Sequence, residues 1–533
     1  MRTAQPTTTT WECTGKPPQW KAHPPVDNYG DTCVICGQPR PGLKATKRPR
    51  PAASPYPRGW QLLAATLLLG SVLGFAGWIV WQNWRSGNWQ TSTTVDDPTA
   101  QVTTRTLDAS QLPADSPDRF SSGERRLLRY QSNRDGDRAA VAFAAGDYAQ
   151  AKQLFENAIQ GDRRDPEVQL YRNNAIARLS KEPAYKLAVV VPVDAAASSA
   201  EEILRGIADA QAGFNEANGS NGRLLEIIIA NDGNDPKISP GVARKIGQDP
   251  TILGVIGHNA SAATEAAVPE YEKAGIPVMT ATSGGTTIAS RVFFRAVLSN
   301  QITGTLLAEH AKNTLKLERI AIFFNPNDVY SRSVQEAFVD RFEALGGRFV
   351  KAIDMSSPDF QIDKQVKQLA GKFDAIAMFP NTDLVTVGLS IASANNQLPG
   401  NQKMQVMGGT TLYTPRTLSS GGNAVEGLIL SIPWFAQTPY AYEASVRWGG
   451  QVSWRTAMGY DATLAFLNTL SGTPTRSNIL QNLRAVRLPA DRTSGDSLQF
   501  SPSGERLGQP ILVQVVKGGG GPVGSGLVFK ALN

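Results

Sequence analysis

Cysteine and histidine are scarce: the 533 residues hold three of each. Cys13, Cys33 and Cys36 all fall in the first 36 positions, which excludes disulfides and thiolate chemistry from everything beyond them. His258 and His310 lie far apart without metal-ligand company, and both read as structural. No G-x-S-x-G, Walker A or H-E-x-x-H motif occurs, so an enzyme is not the expected reading. Positive charge is also short outside one segment. The formal net charge is +7, yet residues 1–59 alone carry nine Lys/Arg against three acids. The long remainder is close to neutral, which weighs against a nucleic-acid partner.

What is present begins with an uncharged run, "WQLLAATLLLGSVLGFAGWIVW", 22 positions from Trp60 to Trp81. About 20 residues at a helical rise cross a hydrocarbon core of roughly 30 Å. Trp60, Trp78, Trp81 and Trp84 stand near its two ends, where indoles favour the interface. A transmembrane helix over 60–82 is therefore predicted. The rival readings are a cleaved signal peptide and a buried core helix; 59 residues precede the run and no A-x-A-like site follows it. Five basic residues between Lys44 and Arg58 place the N-terminus in the cytoplasm. The bulk of the chain then lies outside the membrane, in a bacterium on the periplasmic side of the inner (plasma) membrane.

The spacing of Cys13, His23, Cys33 and Cys36 is C-x9-H-x9-C-x2-C. Three soft thiolates and one imidazole suit a closed, structural tetrahedral zinc site, so residues 1–43 read as a cytoplasmic zinc-ribbon-like module. Three free thiols with a chance histidine are the alternative. Residues 44–59 form a basic juxtamembrane linker, and 83–120, rich in Ser, Thr, Asp and Pro, a flexible tether. In 121–183, "AVAFAAGDYAQAKQLFENAI" spaces Gly146, Tyr148, Ala151, Phe155, Ala158 and Ile159 for a helix pair turning at Gly146-Asp147. This resembles part of a tetratricopeptide repeat, read here as a helical spacer packed on its neighbour, with peptide binding as the lesser alternative.

From Tyr185 onward, apolar runs at 186–193, 224–231, 252–258, 276–281, 319–325, 348–355, 374–380 and 404–409 alternate with helical segments. Apolar rather than alternating strands are those of a parallel sheet covered on both faces. Eight of them fit two α/β lobes sharing a cleft better than one sheet. Ligands in such folds sit beyond the carboxyl ends of strands. There "LGVIGHNASAAT" (253–264) passes from strand to helix through small polar residues, and "TATSGGTT" (280–287) ends the next strand similarly. A helix start exposes unpaired amides that favour a carboxylate, and Ser261 adds a hydroxyl. The alternative is that Ser261 caps its own helix. "NDGND" (231–235) lacks the downstream glutamate of a calcium loop and reads as a surface loop. Asp461 in "GYDA" reads as a packing or capping residue, and "GGGGPVGS", between two strand-like runs, as a hairpin loop.

Several stretches together carry a family resemblance: "ANDGNDP", "GVIGHNASAATEAAVPEYEKAGIPVMTATS", "FFRAVLSNQITGTLLAEHA", "RIAIFFNPNDVYSRSVQEAFVDRFEALGGRFV" and "MGYDATLAFLNTL". In this order, residues 185–533 resemble the periplasmic solute-binding proteins of the leucine/isoleucine/valine type. The resemblance implies a two-lobed type I periplasmic-binding fold, with three crossovers joining lobes that close on a small ligand. By the same resemblance Ser261 holds the ligand carboxylate, Thr282, Ser283 and Gly284 form the adjoining loop, and Tyr330 faces them from the second lobe. Thr280-Ala281 replaces the usual Ser-Pro, Ser331 replaces a glycine, and Thr410 stands where an acid receives the ligand ammonium. A hydroxyl does not balance a buried ammonium, which weighs against branched-chain specificity and leaves Asn381, Asp383 or Tyr413 as the second pole. The implied function is capture of an amino-acid-like solute for an ABC permease. The alternative is a sensor or scaffold that signals through the membrane helix to the zinc module.

Overall fold

The computed structural model describes residues 11–13, 26–28, 112–128, 133–519 and 525–532. His23, Cys33 and Cys36, the apolar run at 60–82, the tether as far as 111 and most of "GGGGPVGS" lie outside the described residues. Among the described residues no helix is long and apolar enough to cross a membrane. Nor do they contain a group of three or more His, Cys, Asp or Glu able to hold a metal ion. The chain divides into two units, Met1–Thr103 and Thr104–Asn533. In the first, β1 (Trp11–Cys13) pairs antiparallel with β2 (Val26–Asn28), Cys13 opposite Val26.

The second unit opens with β3 (Phe120–Ser121), α1 (Arg134–Ala144), α2 (Tyr148–Gly161) and α3 (Pro166–Leu179). The predicted turn is there. Gly146 takes φ +79°, and Asp147 caps α2 by accepting the Gln150 N–H at 3.0 Å. After α3 the chain enters a strand, so no further repeat helix follows.

Lobe one is built from β4 (Tyr185–Val191), α4 (Ala197–Glu216), β5 (Leu225–Asn231), α5 (Ser239–Gln248), β6 (Ile252–Ile256), α6 (Ser261–Ala274), β7 (Val278–Thr280) and β8 (Phe293–Arg295). Its sheet runs β3-β5-β4-β6-β7-β8, parallel except for β3. Covered on both faces, β4 and β5 each leave only one of seven residues short of full burial, which is why their sequences read as unbroken apolar runs.

Lobe two follows with α7 (Asn300–Glu309) and a π-helical turn at His310–Thr314, then β9 (Arg319–Phe324), α8 (Val329–Ala344), β10 (Phe349–Asp354), α9 (Ile362–Leu369), β11 (Ala375–Phe379), α10 (Val385–Asn396), β12 (Gln405–Gly408), α11 (Pro415–Gly421) and β13 (Ile429–Ile432). The chain then returns to lobe one as α12 (Pro439–Trp448), α13 (Trp454–Leu467) and α14 (Arg476–Ala485), with a small ladder of β14 (Arg487–Leu488) and β15 (Leu498–Gln499). A last crossing leads to β16 (Ile511–Lys517) and β17 (Leu527–Ala531), paired antiparallel as the hairpin reading requires. The second sheet runs β10-β9-β11-β12-β13-β16-β17. Three crossovers thus join the lobes.

The return helices are locked onto lobe one. α13 packs against α4 so closely that a Cβ on Gly206 would stand 1.9 Å from the Thr456 carbonyl oxygen. Only glycine fits there. The helices α1–α3 are fastened to the same lobe. Phe120 pairs with Ala230, and Asn174 of α3 donates to the Ser122 and Ile227 carbonyls at 2.7 Å each. Beneath them the Arg126 guanidinium meets Asp165 at 2.8 Å, while Glu167 accepts the Leu128 N–H at 3.0 Å and the Tyr171 hydroxyl at 2.9 Å. Burial, with the neighbouring Asp165 charge, pushes Glu167 up to about 7.

Candidate functional site

The carboxyl ends of both sheets face one cleft of about 430 Å³, a volume ordinary for a small-ligand site. Lobe one contributes Gly233–Pro236 after β5, Asn259–Ala262 after β6, Thr282 and Gly284 after β7, and Trp454 and Arg455 at the start of α13. Lobe two contributes Asp328 and Tyr330 at the start of α8, Asn381–Asp383 after β11 and Thr410–Thr411 after β12.

The turn after β6 is organised by groups behind it. His258 is fully buried, its Nδ1 2.7 Å from Asp232 Oδ2 and its Nε2 2.9 Å from the Tyr271 hydroxyl. Its carbonyl accepts the Thr280 hydroxyl at 3.0 Å, joining the ends of β6 and β7. The structural reading of this histidine agrees with that geometry. The residue at the cap position of α6 is Ala260, and no side chain caps the helix. Ser261 therefore does not cap α6. Its hydroxyl instead accepts one from Ser283 at 3.0 Å, while Asn234 Oδ1 accepts the Ala260 N–H at 3.2 Å. The first turn beyond Ala260 presents its amides at the cleft with the positive end of the helix dipole.

The residues named from the sequence divide by what they do. Ser261, Thr282, Gly284, Tyr330, Asn381 and Thr410 line the cleft, and Ser283 does not. Ser283 is 1 % exposed and braces Ser261 from behind. Gly284 is dictated by packing, since a Cβ there would lie 2.3 Å from Asn300 Oδ1. Thr410 is not a free pole, because its hydroxyl donates to the Ser431 carbonyl at 3.3 Å. Tyr413 is excluded, its ring set 4.7 Å from that of Phe529 and 6.4 Å from that of Phe435. Tyr330 is half-buried, and desolvation raises its phenol; its oxygen takes the Thr411 N–H at 3.4 Å and lies over Gly409.

Four groups were not anticipated. Asp328 of lobe two caps α8, accepting the Ser331 N–H at 2.8 Å through Oδ1. Burial holds its carboxyl above the usual range, the Ser331 bond opposes this, and the nearby Asp383 charge adds to the rise. The "NDGND" loop is not merely surface: Gly233 and Asn234, both at positive φ, shape the cleft wall. Trp454 and Arg455 complete the lobe-one side, and among the described residues Arg455 is the only Lys or Arg in the lining. Asp461 of α13 is neither packing nor capping alone, for it is fully buried and paired with Arg506 at 2.8 Å.

A sequence profile of the periplasmic binding protein family matches residues 184–521. An amino acid binding protein of Pseudomonas aeruginosa is 28% identical over 153 residues, 28% of this chain and 41% of that one. A leucine-, isoleucine-, valine-, threonine- and alanine-binding protein of the same organism is 33% identical over 107 residues, 19% of this chain and 28% of that one. The chain thus matches less than half the length of either curated relative. Among solved structures, a leucine binding protein of Thermotoga maritima superposes with a TM-score of 0.56 at 21% identity, over 65% of this chain and 98% of its own. A Rhodopseudomonas palustris solute binding protein in complex with 3,4-dihydroxybenzoic acid gives 0.57 at 16% identity, over 66% of this chain and 96% of its own. These likenesses establish the two-lobed fold, and with the profile match over most of the length the chain belongs to the periplasmic binding protein family.

Proposed function

We propose that this chain is a solute-binding subunit, not an enzyme, that captures an amino-acid-like zwitterion for an ABC permease. The observation that carries the reading is a polarity across the cleft. On lobe one the uncapped start of α6, with Ser261 and Thr282, favours a carboxylate. On lobe two Asp328 and Asp383 line the facing wall and supply the negative pole that Thr410 lacks. The ligand ammonium lies against this acidic pair, and closure of the lobes about the crossovers buries both ends. The two Pseudomonas aeruginosa relatives, named as amino-acid binders, support the same class of ligand.

Isothermal titration calorimetry with a panel of amino acids tests this. Ser261→Ala is expected to weaken binding about tenfold or more, as the loss of a hydrogen bond to a charged group implies. An unchanged affinity would move the carboxylate elsewhere.

The remaining segments complete the proposal: a helix over 60–82 anchors the chain in the bacterial inner membrane, with the binding lobes periplasmic and Cys13, His23, Cys33 and Cys36 holding a structural zinc in the cytoplasm. Metal analysis of the purified full chain is expected to give one zinc per chain, lost in Cys33→Ser. Zinc retained in that variant would exclude the four-ligand set.

A further inference from the structure

Residues 112–121 precede the family match at 184–521, yet they pack where β5 ends and the cleft loop begins. β3 runs antiparallel to β5 with Phe120 opposite Ala230, so the residues before it pass the carboxyl end of that strand. Arg119, 2 % exposed, ties this strap together by donating to the Leu112 carbonyl at 2.7 Å and the Pro113 carbonyl at 2.9 Å. The same guanidinium donates to the Asn231 carbonyl at 3.2 Å. Burial lowers its pKa, and the charges of Asp194, Asp232 and Asp235 oppose this. From Asn231 the contacts run on into the cleft wall. Its side chain donates to Asp194 at 2.6 Å and accepts the Gly233 N–H at 3.0 Å, and Asp232 accepts the Asn234 N–H at 3.0 Å. Asn234 Oδ1 in turn accepts the Ala260 N–H at 3.2 Å, at the start of α6. The strap also rests on α5, where a Cβ on Gly241 would stand 2.4 Å from that of Ala114.

We infer that Arg119 is a positioning residue of the ligand site, holding the loop from Asn231 to Pro236 and, through Asn234, the Ala260 turn that receives the ligand carboxylate. Gly233 and Asn234 both sit at positive φ, a conformation that a loop keeps only where its surroundings hold it. Charge gives a second reason. Asp235 lines the same wall, and its field repels a carboxylate at the neighbouring helix start. The buried guanidinium, on which Asp194, Asp232 and Asp235 all act, offsets that field from behind. The cleft is therefore not complete in residues 185–533 and needs a strap from the N-terminal side. Only the choice of ligand rests on the amino-acid reading above; the hold on the loop does not.

The test is hydrogen–deuterium exchange on the full-length chain, read by mass spectrometry, in Arg119→Met and Gly241→Ala. The second variant lifts the strap from α5 and leaves Arg119 in place, so it carries the test alone where Arg119→Met does not fold. In both, the stretches 231–236 and 258–263 are expected to exchange about tenfold faster, while β11 in lobe two keeps its protection. Calorimetry with L-leucine, L-threonine and L-alanine is expected to show binding about threefold to thirtyfold weaker, the range for coupling through a hydrogen-bonded network. Unchanged exchange in the two stretches overturns the inference. So does a rise shared equally by β11, which is plain loss of stability. Faster exchange with full affinity removes Arg119 from the ligand site and leaves the amino-acid reading intact. Binding of none of the three by the parent chain overturns that reading, and the exchange result still decides the role of Arg119.

Discussion

Replacing Asp461 with Ala is expected to lower the unfolding free energy by about 3–5 kcal/mol, the cost typical of breaking a buried ion pair from one side. Urea denaturation followed by circular dichroism measures it. The reason is local. The carboxylate is fully buried, accepts the Ser494 N–H at 2.8 Å and the Ser494 hydroxyl at 3.0 Å, and meets Arg506 at 2.8 Å. Without it Arg506, 4 % exposed, keeps the Ala296 carbonyl at 2.7 Å but loses its counter-charge. The consequence reaches the cleft. Ala296 begins the first crossover, Ser494 and Arg506 flank β15 at the third, and Asp461 belongs to the return helix of lobe one. The ion pair holds two of the three hinge strands in register, so ligand affinity should fall along with stability. A cost below about 1 kcal/mol would show that the backbone acceptors of Arg506 suffice.

How far the sequence reveals this arrangement depends on the range of the forces involved. The eight strands predicted between 186 and 409 are all present with ends within two residues, because a strand buried on both faces writes its apolar character locally. β8 and β13 escaped notice. One is three residues long and ends in the buried Arg295; the other contains the buried Ser431, so neither reads as a long apolar run. At the site, the small residues from Asn259 to Ser261 and from Thr282 to Gly284 are legible, since a turn that exposes backbone must avoid bulk. Of the charged groups, only Asp383 is. Asp328, in "NPNDVYS", is an N-cap by its spacing, and nothing in the stretch says that the residue also lines a cleft. Arg455 shares the cleft lining with Ala195 across some 260 positions of sequence. Thr410 misleads for the same reason, as the carbonyl that takes its hydroxyl lies on the neighbouring strand β13.

Replacing Asp328 with Asn is expected to weaken binding of the ammonium-bearing ligand by roughly tenfold to a hundredfold, the range for a hydrogen bond to a charged partner. Asparagine is a good helix cap, and its side-chain oxygen still accepts the Ser331 N–H, so stability should change little and the loss be one of charge. The pH dependence gives a second reading. Burial and the nearby Asp383 hold the Asp328 carboxyl above its usual range. On the proposed reading the ligand ammonium binds the ionised form, so affinity in the parent protein should fall as pH drops through that raised value and recover above it. In Asp328→Asn the affinity should be low throughout and nearly flat across the same interval. In Asp383→Asn the repulsion is gone, Asp328 ionises more readily, and the fall should move to lower pH. Titrations at a series of pH values, with each variant, separate these cases. An affinity in the parent chain that stays constant through the acid range would remove Asp328 from the ligand's positive pole.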